Sequence, residues 1–428
     1  MQDPTSFSRR RFITGATAVA AFGPSLSHAA PANERLNIAF IGYGKRAYSV
    51  MGEALRQKDV QVVAVCEVEG TRLAKAKEVV EERYAAEIKS GSYKGCKTYI
   101  DYRELLKRDD LDAVVIMTPD HMHVHTALAA ANKKLDIYCE KPLTQNIAEG
   151  RLLVNAVKKN KIIFQTGSQQ RSEYGNRFRT AVEMIWAGRI GDLKTIRIGV
   201  GASPKPCDLP AQEKPDNVNW DLWLGPAPQR AYNEILCPKG LHSHYPAFRH
   251  YEEYAGGGLA DMGAHHFDIA QWAMKMDSSG PVSVEPPAKG NTGLKFIYAS
   301  GVEMFHGGPD DCTFEGTKGT IRVGRGQLKS EPSEILTTPL GKDDLRVYPS
   351  NNHLRNWLDC VRSRKEPICT AETGHRTASV CHLANIGYKL RRKLTWDPRK
   401  EKFVNDPEAN ALTTRKARKG WEYARSPE

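Results

Sequence analysis

Asp261, His265 and Asp268 stand four and then three residues apart, directly after the glycine run Gly256-Gly257-Gly258. On a helix that spacing sets two carboxylates and an imidazole on one face. A carboxylate can hold an imidazole in one tautomer and support its positive form, which is the equipment of general acid–base catalysis. The three glycines leave a backbone that can lie close to a ligand. The same spacing also suits a capped helix with a solvated polar face, and spacing alone does not choose between the two. Lys141 is the second candidate. Glu140-Lys141-Pro142 follows a short apolar run, Asp136-Ile137-Tyr138-Cys139, and a lysine just past a parallel strand lies where open α/β sheets bind their ligands. Pro142 biases Lys141 toward an extended backbone, presenting its side chain from a fixed position.

A third cluster suits a nucleotide. Gly42-Tyr43-Gly44-Lys45-Arg46-Ala47 follows the apolar run Leu36–Ile41. The first glycine permits a tight turn, the second lets backbone approach a pyrophosphate, and the small Ala47 allows close helix–sheet packing. Amides at the helix start then face the phosphates. The next apolar run ends in Val65-Cys66-Glu67. A carboxylate there accepts from ribose hydroxyls and repels a 2′-phosphate, which favours NAD over NADP. Arg72, five residues on, keeps NADP open.

The elements that must position these groups read as two regions. Apolar runs at 36–41, 60–66, 113–117, 136–139 and 162–165 alternate with helical patterns at 45–56, 71–88, 121–131 and 146–159. That alternation predicts βαβ units and a parallel sheet, closing near Gly167. Beyond it come a helix at 176–187, a strand at 194–200 and a proline-rich stretch from Pro204 to Pro238 with Trp220 and Trp223. The stretch reads as a long loop, a common place for function. A helix from Asp261 to Met274, short alternating segments between Gly293 and Val323, and helices at 353–363 and 374–391 complete a second region whose strands look antiparallel and half-exposed.

Composition narrows the class. The chain has 428 residues, 40% of them apolar, and a formal charge of +12. Much of the basic excess lies after Lys389, without zinc-finger spacing or an aromatic–basic motif, so it reads as a solvated face and not as a nucleic-acid surface. Ser8-Arg9-Arg10-Arg11-Phe12-Ile13, an apolar run and Ser27-His28-Ala29 make a signal peptide over 1–29. The paired arginines resemble the twin-arginine signal, whose cargo crosses already folded, often with its cofactor, to the periplasm or another extracytoplasmic space. The apolar run is too short and broken for stable membrane insertion. Nine cysteines without a Cys-x-x-Cys argue against a disulfide framework. The sets His121-x-His123-x-His125 and His242-x-His244 with His250 lack acidic or cysteine partners at ligand spacing, so no metal is expected.

Taken in order, Gly42–Ala47, Thr118-Pro119-Asp120-His121-Met122-His123, Glu140-Lys141-Pro142 and Asp261-x-x-x-His265 resemble the glucose–fructose oxidoreductase / inositol dehydrogenase / rhizopine catabolism (Gfo/Idh/MocA) family. The resemblance spans essentially all of the chain after the leader. It implies an α/β protein: a Rossmann domain with a parallel sheet over 30–167, and over 168–428 a C-terminal α/β domain with an open, mostly antiparallel sheet. That sheet often serves as an interface, so a homo-oligomer, dimer or tetramer, is expected. The resemblance also implies a commonly cis Lys141–Pro142 bond. Lys141 would polarise a sugar hydroxyl, with His265 as acid/base and Asp261 orienting it. An ammonium beside the imidazole would keep it neutral, as a base at neutral pH requires. Tyr43, Lys45, Arg46, Glu67, Thr118, Pro119, His123 and Glu140 would join Gly42 and Gly44 around the cofactor. Arg171, Tyr245, Arg249 and Asp268 are candidate contacts to a small carbohydrate. The expected activity is hydride transfer between a sugar or polyol hydroxyl carbon and a tightly held NAD. An NAD-dependent glycosidase working by transient oxidation at C3, and a non-catalytic sugar-binding protein, are the alternatives.

Overall fold

The computed structural model describes residues 35–423; the leader read at 1–29 lies outside the described residues. Six parallel strands form the first sheet in the order β3-β2-β1-β4-β5-β6. They are β1 Leu36–Ile41, β2 Val60–Cys66, β3 Lys97–Tyr99, β4 Ala113–Ile116, β5 Asp136–Cys139 and β6 Phe164–Thr166. Every residue of β1, β2, β4 and β5 is buried, as expected of a parallel sheet covered on both faces. This is the α/β architecture expected from the alternating pattern. The charged stretch expected as one helix from Thr71 to Ile88 is instead two helices, Gly70–Arg83 and Ala85–Lys89. Tyr84 breaks it: the residue is buried against Tyr93, and Val62 N donates to its hydroxyl at 3.3 Å. The short β3, largely exposed, has no apolar pattern and was invisible in the sequence.

The second sheet has nine strands in the order β13-β12-β11-β7-β10-β9-β8-β14-β15. These are β7 Leu193–Ile198, β8 Ser283–Glu285, β9 Lys295–Ile297, β10 Glu303–His306, β11 Cys312–Gly316, β12 Thr320–Val323, β13 Leu328–Glu331, β14 Leu394–Asp397 and β15 Lys402–Phe403. Seven of its eight pairings are antiparallel, and β7–β10 is parallel. Helices Gly257–Ala273 and Ala371–Leu390 join one core with the inward residues Ile196, Ile198, Phe296, Met304, Phe314 and Ile321. The opposite face carries cross-strand ion pairs, Arg197–Glu315 at 3.2 Å and Lys295 with Glu285 and Glu303 at 3.1 and 3.0 Å.

The two regions are not cut cleanly at Gly167. The His353–Ser363 helix returns to the first sheet, burying Leu354, Trp357 and Leu358 in that core, with Trp357 edge-on to Tyr138 at 5.8 Å. The proline-rich stretch is ordered around its own small core, where Trp220 and Trp223 stack at 4.6 Å. It is strapped to the first region: Gly70 N donates to Asn217 O, Asn219 N to Val68 O, both at 2.8 Å, and Arg72 Nη1 to Pro238 O at 2.7 Å. Among the described residues no helix is long and apolar enough to cross a membrane, and all nine cysteines are free thiols.

Candidate active site

The first turn is shaped as a pyrophosphate site. Gly42 has φ of +95°, and a Cβ there would lie 2.6 Å from Met117 O, so only glycine fits. A Cβ on Gly44 would meet no protein atom and would project into the cleft that Gly44 lines. No side chain caps the Lys45–Arg56 helix, which leaves its leading amides to a bound anion. Ala47 is buried against the sheet. The cleft runs from Glu67 and Arg72 past Gly42, Lys45 and Arg46 to Thr118 and Pro119, roofed by Trp223 and Leu236 of the strap and by Phe248 just beyond it.

Glu67 sits at the cleft's far end, accepting from Tyr43 N at 2.7 Å and from Glu69 N at 3.1 Å, with Arg72 Nη2 at 3.4 Å. Arg72 itself is fixed to the strap carbonyls of Pro238 and Gly240. Tyr43 does not line the cleft. Its ring packs on Tyr48 at 4.9 Å, and its contribution is the amide that orients Glu67.

The cleft opens into a second pocket, sharing Arg46, Met117, Thr118, Tyr245 and Arg249 with it. Here the two sequence candidates meet. Lys141 Nζ donates to Asp261 Oδ1 at 2.6 Å and to Asp261 O at 2.8 Å, and His265 lines the same pocket. The Lys141–Pro142 bond is cis. The Asp261 carboxylate makes no hydrogen bond to the His265 ring, contrary to its expected orienting role. Its carboxylate turns to Lys141, with Arg249 Nε 3.6 Å away. Burial alone would raise Asp261, but Lys141 and Arg249 outweigh it and hold the carboxyl below its usual range. Burial, then Lys141 and Arg325, push His265 well below the ordinary imidazole value. His265 Nδ1 is enclosed without a partner, so Nε2 is the ring nitrogen open to the pocket.

Other expected residues act behind the surface. The Glu140 carboxylate is buried and taken by Arg46 Nε at 3.0 Å and Gln169 Nε2 at 2.8 Å, so it positions Arg46. His123 is a buried brace, its ring nitrogens 2.7 Å from Pro142 O and 2.8 Å from Thr118 O, and neither is free for a cofactor. Arg171 and Asp268, expected at the substrate, are closed in the core. Arg171 binds Asp268 through two bonds of 2.8 Å and also reaches Asp277, while Thr377 donates to Asp268. They are unavailable to a substrate because no open surface reaches them. Tyr245, exposed, and Arg249, stacked on Tyr245 and Phe248, remain at the pocket mouth. His121, His123 and His125 point to different backbone carbonyls, of Trp223, Pro142 and Trp421.

A family model described as "Oxidoreductase family, NAD-binding Rossmann fold" matches residues 36–168, and "Oxidoreductase family, C-terminal alpha/beta domain" matches 204–423, both of the Gfo/Idh/MocA type. The chain belongs to the Gfo/Idh/MocA oxidoreductase family. An uncharacterized oxidoreductase of Streptococcus pneumoniae is 31% identical over 271 residues, 60% of this chain and 66% of that protein. Myo-inositol 2-dehydrogenase of Thermotoga maritima is 29% identical over 40% of this chain and 48% of its own. A glycosyl hydrolase family 109 protein of Stenotrophomonas maltophilia is 28% identical over 45% of this chain and 42% of its own. The chain thus spans only about two fifths to two thirds of these relatives. Among solved structures, the WlbA dehydrogenase of Bordetella pertussis, in complex with NADH and UDP-GlcNAcA, superposes with a TM-score of 0.59 at 15% identity, covering 85% of this chain and 99% of that one. The aldose-aldose oxidoreductase of Caulobacter crescentus gives 0.58 at 15% identity, covering 84% and 99%. At such identity these two show the fold.

Six residues of the second pocket were not expected from the sequence: the apolar Met117 and Met262, and the polar Asp120, Gln169, Tyr174 and Arg325. Asp120 and Gln169 stood within or beside quoted motifs and could have been found there. Arg325, in the turn between β12 and β13, carried no local signal.

Proposed function

We propose that this protein is an NAD-dependent oxidoreductase that removes a hydride from a carbon bearing a sugar or polyol hydroxyl. The observation that carries the reading is the meeting of Lys141 and His265 in one pocket that continues the nucleotide cleft. A nicotinamide in that cleft would supply the hydride acceptor. An ammonium has three hydrogens; Asp261 takes two from Lys141, leaving the third for the substrate hydroxyl. His265, kept neutral by burial and by Lys141, accepts the hydroxyl proton at Nε2. Asp261 acts by fixing Lys141.

Glu67 supports NAD over NADP, and Arg72 does not offset this because its guanidinium is tied to the strap. The strap roofs the cleft, which supports a cofactor that stays bound between turnovers. The twin-arginine-like leader supports export of the folded, loaded protein to the periplasm or an equivalent space; finding it only in the cytoplasm on fractionation would sink that reading. A homo-oligomer through the polar open face of the second sheet fits the ion pairs there, and a monomer by light scattering would remove it.

The test begins with protein purified without added cofactor. Released nucleotide is identified, and the bound nicotinamide's absorbance is followed with free sugars, polyols and glycosides. Reduction by a free sugar, reversed by a second, supports the proposal. The glycosidase reading is favoured by the family 109 relative, and aglycone release without net reduction would put it first. Saturable sugar binding without either reaction would leave a binding protein.

A further inference from the structure

Charge in the reaction pocket does not balance. Arg46 is paired with Glu140 at 3.0 Å, and Lys141 with Asp261 at 2.6 Å. Arg249 leans on the same Asp261 at 3.6 Å and donates to Pro246 O at 3.1 Å. Arg325 also lines the pocket, yet among the described residues it forms no ion pair within 4.0 Å. The remaining acid, Asp120, is buried, and burial raises it to about 7, with Asp261 adding to the rise and Arg249 and Lys141 opposing it. It is therefore a partial counter-charge at neutral pH.

Arg325 is nonetheless held still. Its Nε donates to Gln170 Oε1 at 3.0 Å, and its guanidinium lies over the Tyr174 ring at 4.8 Å. Its own backbone is pinned: Arg325 N donates to Asp311 Oδ2 at 3.2 Å, and Arg177 Nη1 to Arg325 O at 3.3 Å. Gln170 Nε2 reaches the carbonyl of His265 at 3.5 Å, tying the guanidinium to the catalytic helix. Among the described residues, Nη1 and Nη2 have no hydrogen-bond acceptor. A guanidinium fixed by stacking, with its terminal nitrogens free and no counter-ion, is preorganised for a planar anion.

We infer that Arg325 receives a carboxylate of the substrate, so that the pocket selects a sugar acid over the corresponding neutral sugar. One unpaired cation matches the single charge of a carboxylate better than the double charge of a phosphate, and the planar fork matches its two oxygens. This rests on the proposed oxidoreductase reading and adds the class of substrate to it.

The experiment compares D-glucuronate, D-glucose and D-glucose 6-phosphate on the NAD-loaded full chain, by nicotinamide reduction and by calorimetric binding. Wild type should favour glucuronate over glucose by roughly 10- to 100-fold, the range of one charge-assisted hydrogen-bonded contact. Arg325→Gln should remove that preference, and Arg325→Lys, which keeps the charge without the fork, should restore part of it. Glucose favoured or equal in wild type, or a preference unchanged in Arg325→Gln, overturns the inference; preference for the phosphate overturns the carboxylate. Arg325-dependent glucuronate binding without nicotinamide reduction would uphold the inference and sink the oxidoreductase reading instead.

Discussion

Asp261 and Asp268 lie on one face of the Gly257–Ala273 helix, seven residues and therefore roughly 10 Å apart along its axis. Each pairs with a cation from the first two fifths of the chain, but the pairs differ in access. Lys141 and Asp261 keep 13% and 28% of their side-chain surface exposed; Arg171 and Asp268 keep 1% and 0%. The first pair borders a pocket, where an ammonium hydrogen can be offered to a hydroxyl. The second is saturated by Asp277, Thr377 and the Trp272 ring, 4.9 Å from the guanidinium. Periodicity made the two carboxylates equivalent, and what packs over each end of the helix left one at an open pocket and closed the other into the core.

Substitutions should separate the two ends. Lys141→Ala should lower kcat by about 10²–10⁴-fold while NAD binding persists and the urea midpoint stays near wild type. Near-wild-type turnover would break the functional half of the comparison. Arg171→Ala should cost about 3–5 kcal/mol, because Asp268 is left buried with an uncompensated charge. A urea midpoint within error of wild type would break the structural half.

Buried histidines sharpen the contrast between chemistry and support. Burial lowers His121 and His382 to about 3 and His353 to about 4. Because these lie below the unfolded value of about 6.5, the unfolded chain takes up protons first. Their contribution to stability is complete above about pH 6.5 and is lost as pH falls toward 4 and then 3. Urea midpoints flat from pH 6.5 to 4.5 would contradict it.

Glu67→Ala should weaken NAD relative to NADP by about tenfold, the scale of one hydrogen bond to a charged group; equal loss for both, by fluorescence titration, would deny Glu67 its selectivity. The smallest effect belongs to Asp120. As pH rises through about 7 it ionises beside Arg249, Asp261 and Lys141, adding negative charge to the pocket. KM for an anionic substrate should rise a few-fold above pH 7 in wild type, and Asp120→Asn should flatten that rise. An unchanged profile would remove Asp120 from the pocket's charge balance.

The parts legible in the sequence share a physical property: their signals are local. β1, β2, β5 and the Lys45–Arg56 helix lie where the apolar pattern puts them, since continuous burial demands continuous apolar residues. Gly42 could be read because backbone sterics there admit nothing else. Strands β13, β14 and β15, at or next to the ends of the second sheet, escaped notice, being two to four residues long and half polar. Tyr84 escaped because helix periodicity carries no record of a ring reaching across to β2.

The sequence by itself determined the nucleotide turn, the acid at the end of β2, the lysine beyond β5 and the family to which they belong, because each rests on residues adjacent in the chain. Only the tertiary structure decided that Asp261 serves Lys141 and not His265, that Arg171 and Asp268 belong to the core, and that Arg325 enters the pocket. Those outcomes depend on which surfaces meet when β5, the Gly257–Ala273 helix and the β12–β13 turn converge. Solvent exclusion and charge balance are set there by residues 97 to 155 positions apart.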